Sequence, residues 1–170
     1  MKYKFVIKMG RHTKVTKAGR VQSFSALMVT GNGNGAGAFG YGKGEKPMQA
    51  VNRALKDAEK NVFSIQRFED RTITDIVAHG EYAASKVVFR QQPAGSNVTA
   101  SNVINEICRA FGITDVSCKI HGSKNMHNVV KAVFKVFFRQ RHPAFFARGS
   151  GKRFYDPNRV WRNKLYTHSY

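Results

Sequence analysis

The sequence predicts an α+β fold whose elements run β-β-α and then β-β-α-β-α, followed by a basic extended tail. Apolar and polar residues partly alternate between Val21 and Val29, which is typical of a strand. Apolar residues recur with helical spacing in residues 47–62, 103–111 and 126–137. Positive charge is concentrated at the two ends of the chain, so we expect the middle to hold the folded part.

Length and composition are sufficient for a hydrophobic core. The chain has 170 residues, of which 42% are apolar, enough for one ordinary domain or two small ones. Its most apolar stretch, residues 129–138, is too short to span a bilayer and contains two lysines. Cys108 and Cys118 form neither a Cys-x-x-Cys pair nor a multi-cysteine framework. We therefore expect a soluble protein of a reducing compartment.

Net charge indicates the class of partner. The chain has 29 Lys and Arg against 10 Asp and Glu, a formal charge of +19, and a pI near 10.4. Such a surface favours a polyanion, because neutralising phosphates releases counterions. An anionic membrane would favour one long basic amphipathic helix or a lipidation signal, whereas these cations are spread over turns, strands and both ends. Nucleic acid is the favoured partner.

The two ends are interpreted as cationic arms. Residues 1–20 hold seven basic side chains and no acidic one, and residues 139–170 hold eight basic side chains and one acidic. We predict a basic N-terminal arm over residues 1–10 and a basic aromatic tail over residues 139–170. In the tail, arginines alternate with aromatic residues, which suits phosphate pairing and base stacking on RNA. The alternative is a tail packed on a neighbouring protein.

The first half of the fold is predicted to be a hairpin and a helix. The strand at Val21–Val29 is followed by Asn-Gly turn dipeptides in residues 31–35, and a second strand is expected at Ala36–Tyr41. A helix from Pro47 to about Asn61 places its apolar residues on one side and three cations on the other. That basic side is either an RNA-facing stripe or a merely solvated face.

The second half adds two strands, a helix, a strand and a helix. Gly112 is a typical helix stop, and Asn125 is a plausible N-cap for the last helix. The expected elements are strands near Ile73–Val77 and Val87–Phe89, a helix at residues 103–111, a strand at Val116–Ile120 and a helix at residues 126–137. We expect one domain over residues 11–78 and another over residues 79–138.

The glycine-rich segment that ends at Lys43 invites two nucleotide-binding interpretations, and both fail. Residues 37–43 fit a Walker-type phosphate loop, but Gly44 stands where Ser or Thr must hold magnesium. A Gly-x-Gly-x-x-Gly spacing is also present, yet the next helix begins only after Pro47, so no helix N-terminus meets a pyrophosphate.

A third interpretation of this segment is RNA contact. Residues 38–43 faintly resemble the aromatic strand of an RNA recognition motif, in which exposed rings stack on bases. The alternative, that Phe39 and Tyr41 point into a core, is equally open. We prefer glycines that let the backbone approach an RNA phosphate, with Lys43 beside them.

The sequence gives only weak evidence for a metal site or for a set of catalytic residues. Cys118 and His121 with His127 nearby begin a zinc spacing, but a second paired motif is missing. Glu69 and Asp70 adjoin two arginines, which favours a solvated ion cluster over acid-base chemistry. We expect no cofactor and no enzyme activity.

Six segments, in this order, carry a family resemblance: Lys14-Val-Thr-Lys-Ala-Gly-Arg20, Gly31-Asn-Gly-Asn-Gly with Phe39-Gly-Tyr-Gly-Lys43, the Pro47 helix, Gln92-Pro93-Ala94, Gly112-Ile-Thr-Asp-Val116, and Gly122-Ser-Lys-Asn-Met-His-Asn-Val-Val130. Together they resemble the family of small-subunit ribosomal protein five, over residues 14 to about 138. The resemblance implies an N-terminal domain like a double-stranded-RNA-binding module, with three strands and a helix, and then a small β-α-β-α domain.

The resemblance also implies a function and partners. It implies a structural constituent of the small ribosomal subunit that binds ribosomal RNA and supports translation and decoding accuracy. The neighbours would be small-subunit proteins four and eight, with messenger RNA near its entry path. The alternative function is a free regulatory RNA-binding module.

Residues 14–20 would be the family's RNA-inserting loop. With the basic faces and the tail, the predicted RNA-binding residues are Arg11, Lys14, Lys17, Gly19, Arg20, Lys43, Lys46, Arg53, Lys56, Lys60, Ser123, Lys124, Asn125, Arg148, Arg153 and Arg162.

Three segments indicate a mitochondrial member of that family. Residues 67–73, the doubled Gln91-Gln92 and Ile107-Cys-Arg109 look more like mitochondrial than bacterial members. Residues 95–102 are shorter and poorer in glycine than the bacterial loop at this place. The start of the chain is basic but lacks the Arg- and Ser-rich amphipathic pattern of a transit peptide. We predict a mitochondrial ribosomal protein.

Overall fold

The computed structural model describes residues 1–141 and 143–153. Contacts divide the chain into two compact units, of which the first spans Met1–Gln140 and the second begins at Arg141. The elements are β1 (Tyr3–Thr16), β2 (Gly19–Gly31), β3 (Ala36–Gly44), α1 (Pro47–Lys60), β4 (Phe63–Ser64), β5 (Val77–Tyr82), β6 (Ser85–Gln91), β7 (Val98–Thr99), α2 (Asn102–Phe111), β8 (Val116–Gly122), α3 (Met126–Arg139) and α4 (Pro143–Gly149). The two sheets and four helices of the described residues confirm the α+β class.

The first sheet is antiparallel in the order β1-β2-β3-β4. Helix α1 packs closely on β2 and β3 because two glycines of β3 leave room for its backbone. A Cβ atom on Gly40 would lie 2.1 Å from the carbonyl oxygen of Ala54, and one on Gly42 would lie 2.3 Å from that of Ala50. The helix begins at Pro47, as predicted, and ends at Lys60, one residue before the predicted end near Asn61.

The second sheet has the order β5-β6-β8-β7, in which only the short pairing of β7 with β8 is parallel. Helix α2 ends at Phe111 and is followed by the C-cap Gly112, whose φ of +71° is readily adopted by glycine. Helix α3 is capped by Asn125, whose side chain accepts a hydrogen bond from the backbone N–H of His127. Both predicted helix boundaries are therefore confirmed.

One hydrophobic core joins the two sheets. Leu27 and Val29 of β2 belong to the same buried cluster as Phe111 of α2 and Phe137 of α3. The loop after β2 docks on the end of α2, where the N–H groups of Gly33 and Gly35 donate to the carbonyl oxygens of Ala110 and Phe111 at 2.9 and 2.8 Å. The two halves form one compact unit, so the contacts do not mark a domain boundary near residue 78. The predicted boundary there stays a prediction.

Residues 1–10 are not a separate basic arm. Residues 3–16 form β1, the longest strand, which pairs with β2 from Tyr3 opposite Gly31 to Thr16 opposite Gly19. Tyr3, Phe5 and Ile7 are half-buried and pack against the core, whereas the intervening Lys4 and Val6 are exposed. The predicted order therefore lacked β1, and it also lacked the two-residue strands β4 and β7.

Two further segments differ from their predictions. The strand expected at Ile73–Val77 begins only at Val77, because Ile73 is a buried residue of the irregular segment before it and Ile76 is 78% exposed. The tail contains the short helix α4, so it is not extended throughout. Among the described residues, no helix is long and apolar enough to cross a membrane.

Candidate nucleic-acid interface

The tip of the β1–β2 hairpin projects beyond the core. Every residue from 11 to 23 is exposed, including Val15 and Val21, at 73% and 56%. Strand β3 pairs with β2 only as far as Phe24 opposite Gly44. A tip that buries no apolar side chain has no packing reason for its sequence, so its cations are free to contact a partner.

The hairpin turn is short and well defined. Thr16 pairs with Gly19 across the two-residue turn Lys17-Ala18, and the hydroxyl of Thr16 donates to the carbonyl oxygen of Gly19 at 3.0 Å. Gly19 has a φ of +125°, a conformation that side chains rarely adopt. Gly19 therefore forms the turn that carries Lys17, and its predicted contact with RNA stays a prediction.

The predicted cations surround this tip. Lys14 lies opposite Val21, and Arg20 lies opposite Val15. Because side chains alternate along strands, Lys14 points from one face of the hairpin, whereas Arg11 and Arg20 point from the other. With Lys17 at the turn, the tip carries cations on both faces and at its end.

Helix α1 and the edge of β3 form a second basic region. The Arg53 guanidinium donates to the carbonyl oxygen of Lys43 at 2.7 Å, and the N–H of Tyr41 donates to the carboxylate of Asp57 at 3.0 Å. These bonds satisfy backbone groups at the edge of β3, because β4 pairs only with Ala36 and Gly37 of that strand. Lys56 and Lys60 are exposed on the helix, and Lys46 is exposed at its N-cap.

The glycines of β3 do not form a phosphate cradle. Gly40, Gly42 and Gly44 all face α1, where a Cβ atom would collide with the helix. Our preference for glycines that approach an RNA backbone is therefore wrong, because the approaching backbone is that of α1. Phe39 packs against Phe134 at 4.7 Å between ring centroids, so it belongs to the core.

In the segment before α3, Ser123 and Asn125 make hydrogen bonds at the N-terminus of the helix. The hydroxyl oxygen of Ser123 accepts a hydrogen bond from the N–H of Asn125, and Asn125 caps the helix. Lys124 is exposed between them. Of the three predicted residues here, Lys124 carries the charge that reaches solvent.

The second unit carries the remaining predicted cations. Arg148 lies in the last turn of α4, and Arg153 is exposed after it. The Arg141 guanidinium lies 5.1 Å from the centroid of the Phe145 ring, a cation–π contact. Arg162 and the tail aromatics from Phe154 onward lie outside the described residues.

Both cysteines are buried and have free thiols. Burial raises the pKa of the Cys118 thiol to about 12 and also raises the pKa of Cys108. A protonated buried thiol is a small hydrophobe rather than a zinc ligand. Within residues 1–141 and 143–153, no three His, Cys, Asp or Glu side chains are placed to hold a metal ion.

Sequence reasoning did not select Lys8, His12 or His127, and it did not decide between the two roles of Tyr41. The structure brings these four side chains to one face of the first sheet. Strand β1 has a bulge between Val6 and Lys8, so its simple alternation would place Lys8 and His12 on the opposite face, and no regular sequence pattern selects them. The position of His127 over β3 follows from packing between the two halves, which no local pattern encodes.

A basic α+β protein with an exposed cationic hairpin on a two-sheet core is of the class that binds RNA through its phosphates. Two family models match the chain: the N-terminal domain of ribosomal protein S5 over residues 3–66, and the C-terminal domain of ribosomal protein S5 over residues 80–150. The chain belongs to the ribosomal protein S5 family. This membership confirms the family predicted from the sequence, and such a protein is structural rather than catalytic.

Individual relatives agree with the family models. The chain is 38% identical over 146 residues to small ribosomal subunit protein uS5m of Schizosaccharomyces pombe. The matched region covers 86% of this chain and 38% of that protein. It is 31% identical over 151 residues to small ribosomal subunit protein uS5 of Pelagibacter ubique, covering 89% and 88% of the two chains. With the Mesomycoplasma hyopneumoniae protein of the same name, the identity is 37% over 62% of that relative's length.

Proposed function

We propose that this protein is a structural constituent of the small ribosomal subunit, where it holds folded ribosomal RNA and supports translation. The observation that carries the proposal is the exposed hairpin tip, which has cations on both faces and at its turn and makes no contribution to the core. Family membership and a net charge of +19 support it.

The proposed RNA contacts are the predicted residues whose charges reach solvent. Lys14, Lys17 and Arg20 form the first group, at the hairpin tip. The second group is formed by exposed cations elsewhere, namely Arg11, Lys43, Lys46, Lys56, Lys60 and Lys124, with Arg148 and Arg153 of the second unit. Arg53, Ser123 and Asn125 support these elements through hydrogen bonds and contact RNA beside them.

The proposed compartment is the mitochondrial matrix. The 38% identity to a mitochondrial relative supports it, although relatives from bacteria match over similar lengths. Family resemblance further suggests small-subunit proteins four and eight as neighbours, with messenger RNA close by and an effect on decoding accuracy. Crosslinking of the assembled subunit tests these neighbours, and absence of both proteins from the crosslinked products would contradict them.

The test of the function is sedimentation of a tagged chain from lysed mitochondria at low and moderate salt. The wild type is expected to migrate with the small subunit at both salt concentrations. The variant Lys14→Ala/Lys17→Ala/Arg20→Ala is expected to be incorporated less, because it loses three phosphate contacts without losing core packing.

A charge-matched control separates a local effect from a general one. Lys86→Ala/Arg90→Ala/Lys119→Ala removes the same charge from exposed positions of β6 and β8. This variant is expected to be incorporated like the wild type. Equal incorporation of both variants would remove the hairpin from the interface, and a slow, salt-released peak on short RNAs would favour a free regulatory module instead.

A further inference from the structure

One face of the first sheet carries a polar shelf, formed by Lys8, His12, Ser25, Tyr41 and Lys43. The strand register places Lys8 and Tyr41 on either side of Leu27, and it places Gly10 and Lys43 on either side of Ser25. Directly paired residues of antiparallel strands point to the same face. The shelf therefore continues the face that packs against α2 and α3.

The floor of the shelf is made of small residues. Ser25 is 6% exposed, and a Cβ atom on Gly10 would lie 2.9 Å from its hydroxyl oxygen. Because Gly10 has no side chain, the imidazole of His12 reaches across the sheet, and its Nε2 lies 2.8 Å from the hydroxyl oxygen of Ser25. The result is a shallow floor with polar groups at its surface and cations at its edges.

The second wall comes from the first turn of α3. The His127 ring contacts Tyr41 edge-on, with centroids 5.0 Å apart and an interplanar angle of 80°. The Lys43 Nζ lies 5.8 Å from the Tyr41 ring centroid, and Tyr41 is 37% exposed. The N–H groups of His127, Asn128 and Val129 donate to Asn125, but the first turn of α3 contains no acidic residue, so the positive dipole end of the helix favours an anion near it.

Cations from two elements act on His127. Burial is the main cause that lowers its pKa, and the charges of Lys8 from β1 and Lys131 from α3 lower it further. The carboxylate of Asp57, which lies beside β3, is engaged by the N–H of Tyr41. The positive charges of Lys8 and Lys131 lie near the His127 imidazole, and a bound anion would stabilise this group of side chains.

We propose that this shelf binds one backbone phosphate of RNA, held by Lys8 and Lys43 from the sheet and by the imidazole of His127 from α3. The inference rests on the proposed RNA-binding function and adds to it a contact that spans both halves of the fold. A phosphate at this place accounts for the cations that two strands and a helix bring together around Tyr41, where the Asp57 carboxylate is already hydrogen-bonded to the Tyr41 N–H.

The site predicts that RNA binding takes up a proton. In the free protein the lowered pKa leaves His127 largely neutral at pH 7. A bound phosphate offsets the field of the two lysines and favours the imidazolium, which raises the pKa of His127. Affinity for RNA should therefore rise as the pH falls from about 8 and level off below the pKa of the free protein.

The test is a titration of the histidine rings by NMR, on the full chain, with and without a defined stem-loop of ribosomal RNA. The pKa of His127 is expected to rise by about one unit or more with the RNA. The ring signals of His79, which is exposed on β5 in the other sheet, should keep the same chemical shifts at each pH with and without the RNA. His127→Gln should abolish most of the pH dependence of affinity, and the control His79→Gln should retain it.

Each outcome decides a separate point. Tight RNA binding without a change at His127 would overturn the shelf and leave the proposed function intact. Failure of any structured ribosomal RNA to bind would count against the proposed function itself. An equal shift of His127 with inorganic phosphate alone, at the same phosphate concentration, would overturn the assignment to RNA and make the shelf a general anion site.

Discussion

Asp115 is a buried carboxylate that joins separate segments of the second half. Its oxygens accept hydrogen bonds from the N–H of Asn97 and the hydroxyl of Thr114, both at 3.2 Å, and the Arg71 guanidinium lies 3.5 Å away. Burial acts to raise the pKa of Asp115, but these donors outweigh it and hold the pKa below its usual value. The ionised form is therefore the one that the fold stabilises.

Replacing Asp115 should lower stability in a pH-dependent way. Because the pKa is lower in the folded state, the contribution of Asp115 is complete above about pH 4 and is lost as the pH falls through the folded-state pKa. Asp115→Asn should lower the free energy of unfolding by about 2 kcal/mol at pH 7, and by less at pH 3, measured by urea denaturation.

Asp70→Asn is the matched control, because the Asp70 side chain is 94% exposed. It should change the free energy of unfolding by less than about 0.5 kcal/mol at either pH. A loss of equal size in the two variants would contradict the role given to Asp115.

Gly42 is a position where packing alone excludes a side chain. Its missing Cβ leaves the space that the backbone of α1 occupies. Gly42→Ala should lower the free energy of unfolding by about 2 kcal/mol, because helix and strand must separate, and thermal denaturation measures this. Gly149→Ala places a Cβ in open space and should have little effect. An unchanged melting temperature for Gly42→Ala would show that α1 shifts without loss.

At the scale of elements, apolar periodicity predicted the helices correctly, whereas the lysines of β1 led the sequence prediction to miss that strand. Helix α1 and the caps of α2 and α3 follow from local patterns, and the structure has them where the sequence placed them. Strand β1 has the same kind of signal, since Tyr3, Phe5 and Ile7 alternate with polar or exposed residues. Its lysines led us to interpret it as an arm, although lysines on the exposed face of an edge strand are ordinary.

The candidate site was predictable in one part and not in another. The hairpin tip is contiguous in sequence, so both its turn and its charges are visible in residues 14–20. The shelf is built from β1, β2, β3 and α3, which are brought together by register and by packing of the two halves. The same packing explains why the glycines of β3 serve α1 and not a ligand.

The basic face of helix α1 is either an RNA interface or a solvated surface, and a double substitution on that face distinguishes the two. Lys56→Ala/Lys60→Ala should weaken binding to structured ribosomal RNA and reduce the slope of log affinity against log salt by about one per lost phosphate contact. The melting temperature should not change, since both side chains are exposed. Filter binding at several salt concentrations measures the slope.

Lys86→Ala/Lys119→Ala on the second sheet is the control for this pair, with the same loss of charge from exposed positions. Its salt slope should stay close to that of the wild type. If both pairs reduce the slope equally, the face of α1 is merely part of the general charge. Arg53→Ala should lower both affinity and stability, because it also removes the bond to the Lys43 carbonyl.

At the scale of the whole molecule, one core holds basic elements from both halves in fixed positions. Phe111 of α2 contacts Phe63 from the first sheet and Phe134 and Phe137 from α3, with ring centroids 5.1 to 5.6 Å apart. The hairpin, the shelf and Lys124 therefore all belong to one compact unit, Met1–Gln140. A protein that recognises folded RNA by shape needs such fixed spacing, since the phosphates it meets are themselves held in place.

Residues 1–140 should consequently unfold in one cooperative step. Phe111→Ala removes a fully buried ring from the shared core and should lower the free energy of unfolding by about 3–5 kcal/mol. The loss should appear equally in both halves, because their apolar faces cover one another. Hydrogen exchange tests this: amides of β2 and of α3 should lose the same protection. Selective loss in α3, with β2 unchanged, would show that the halves are independent domains and that RNA, not the core, sets their spacing.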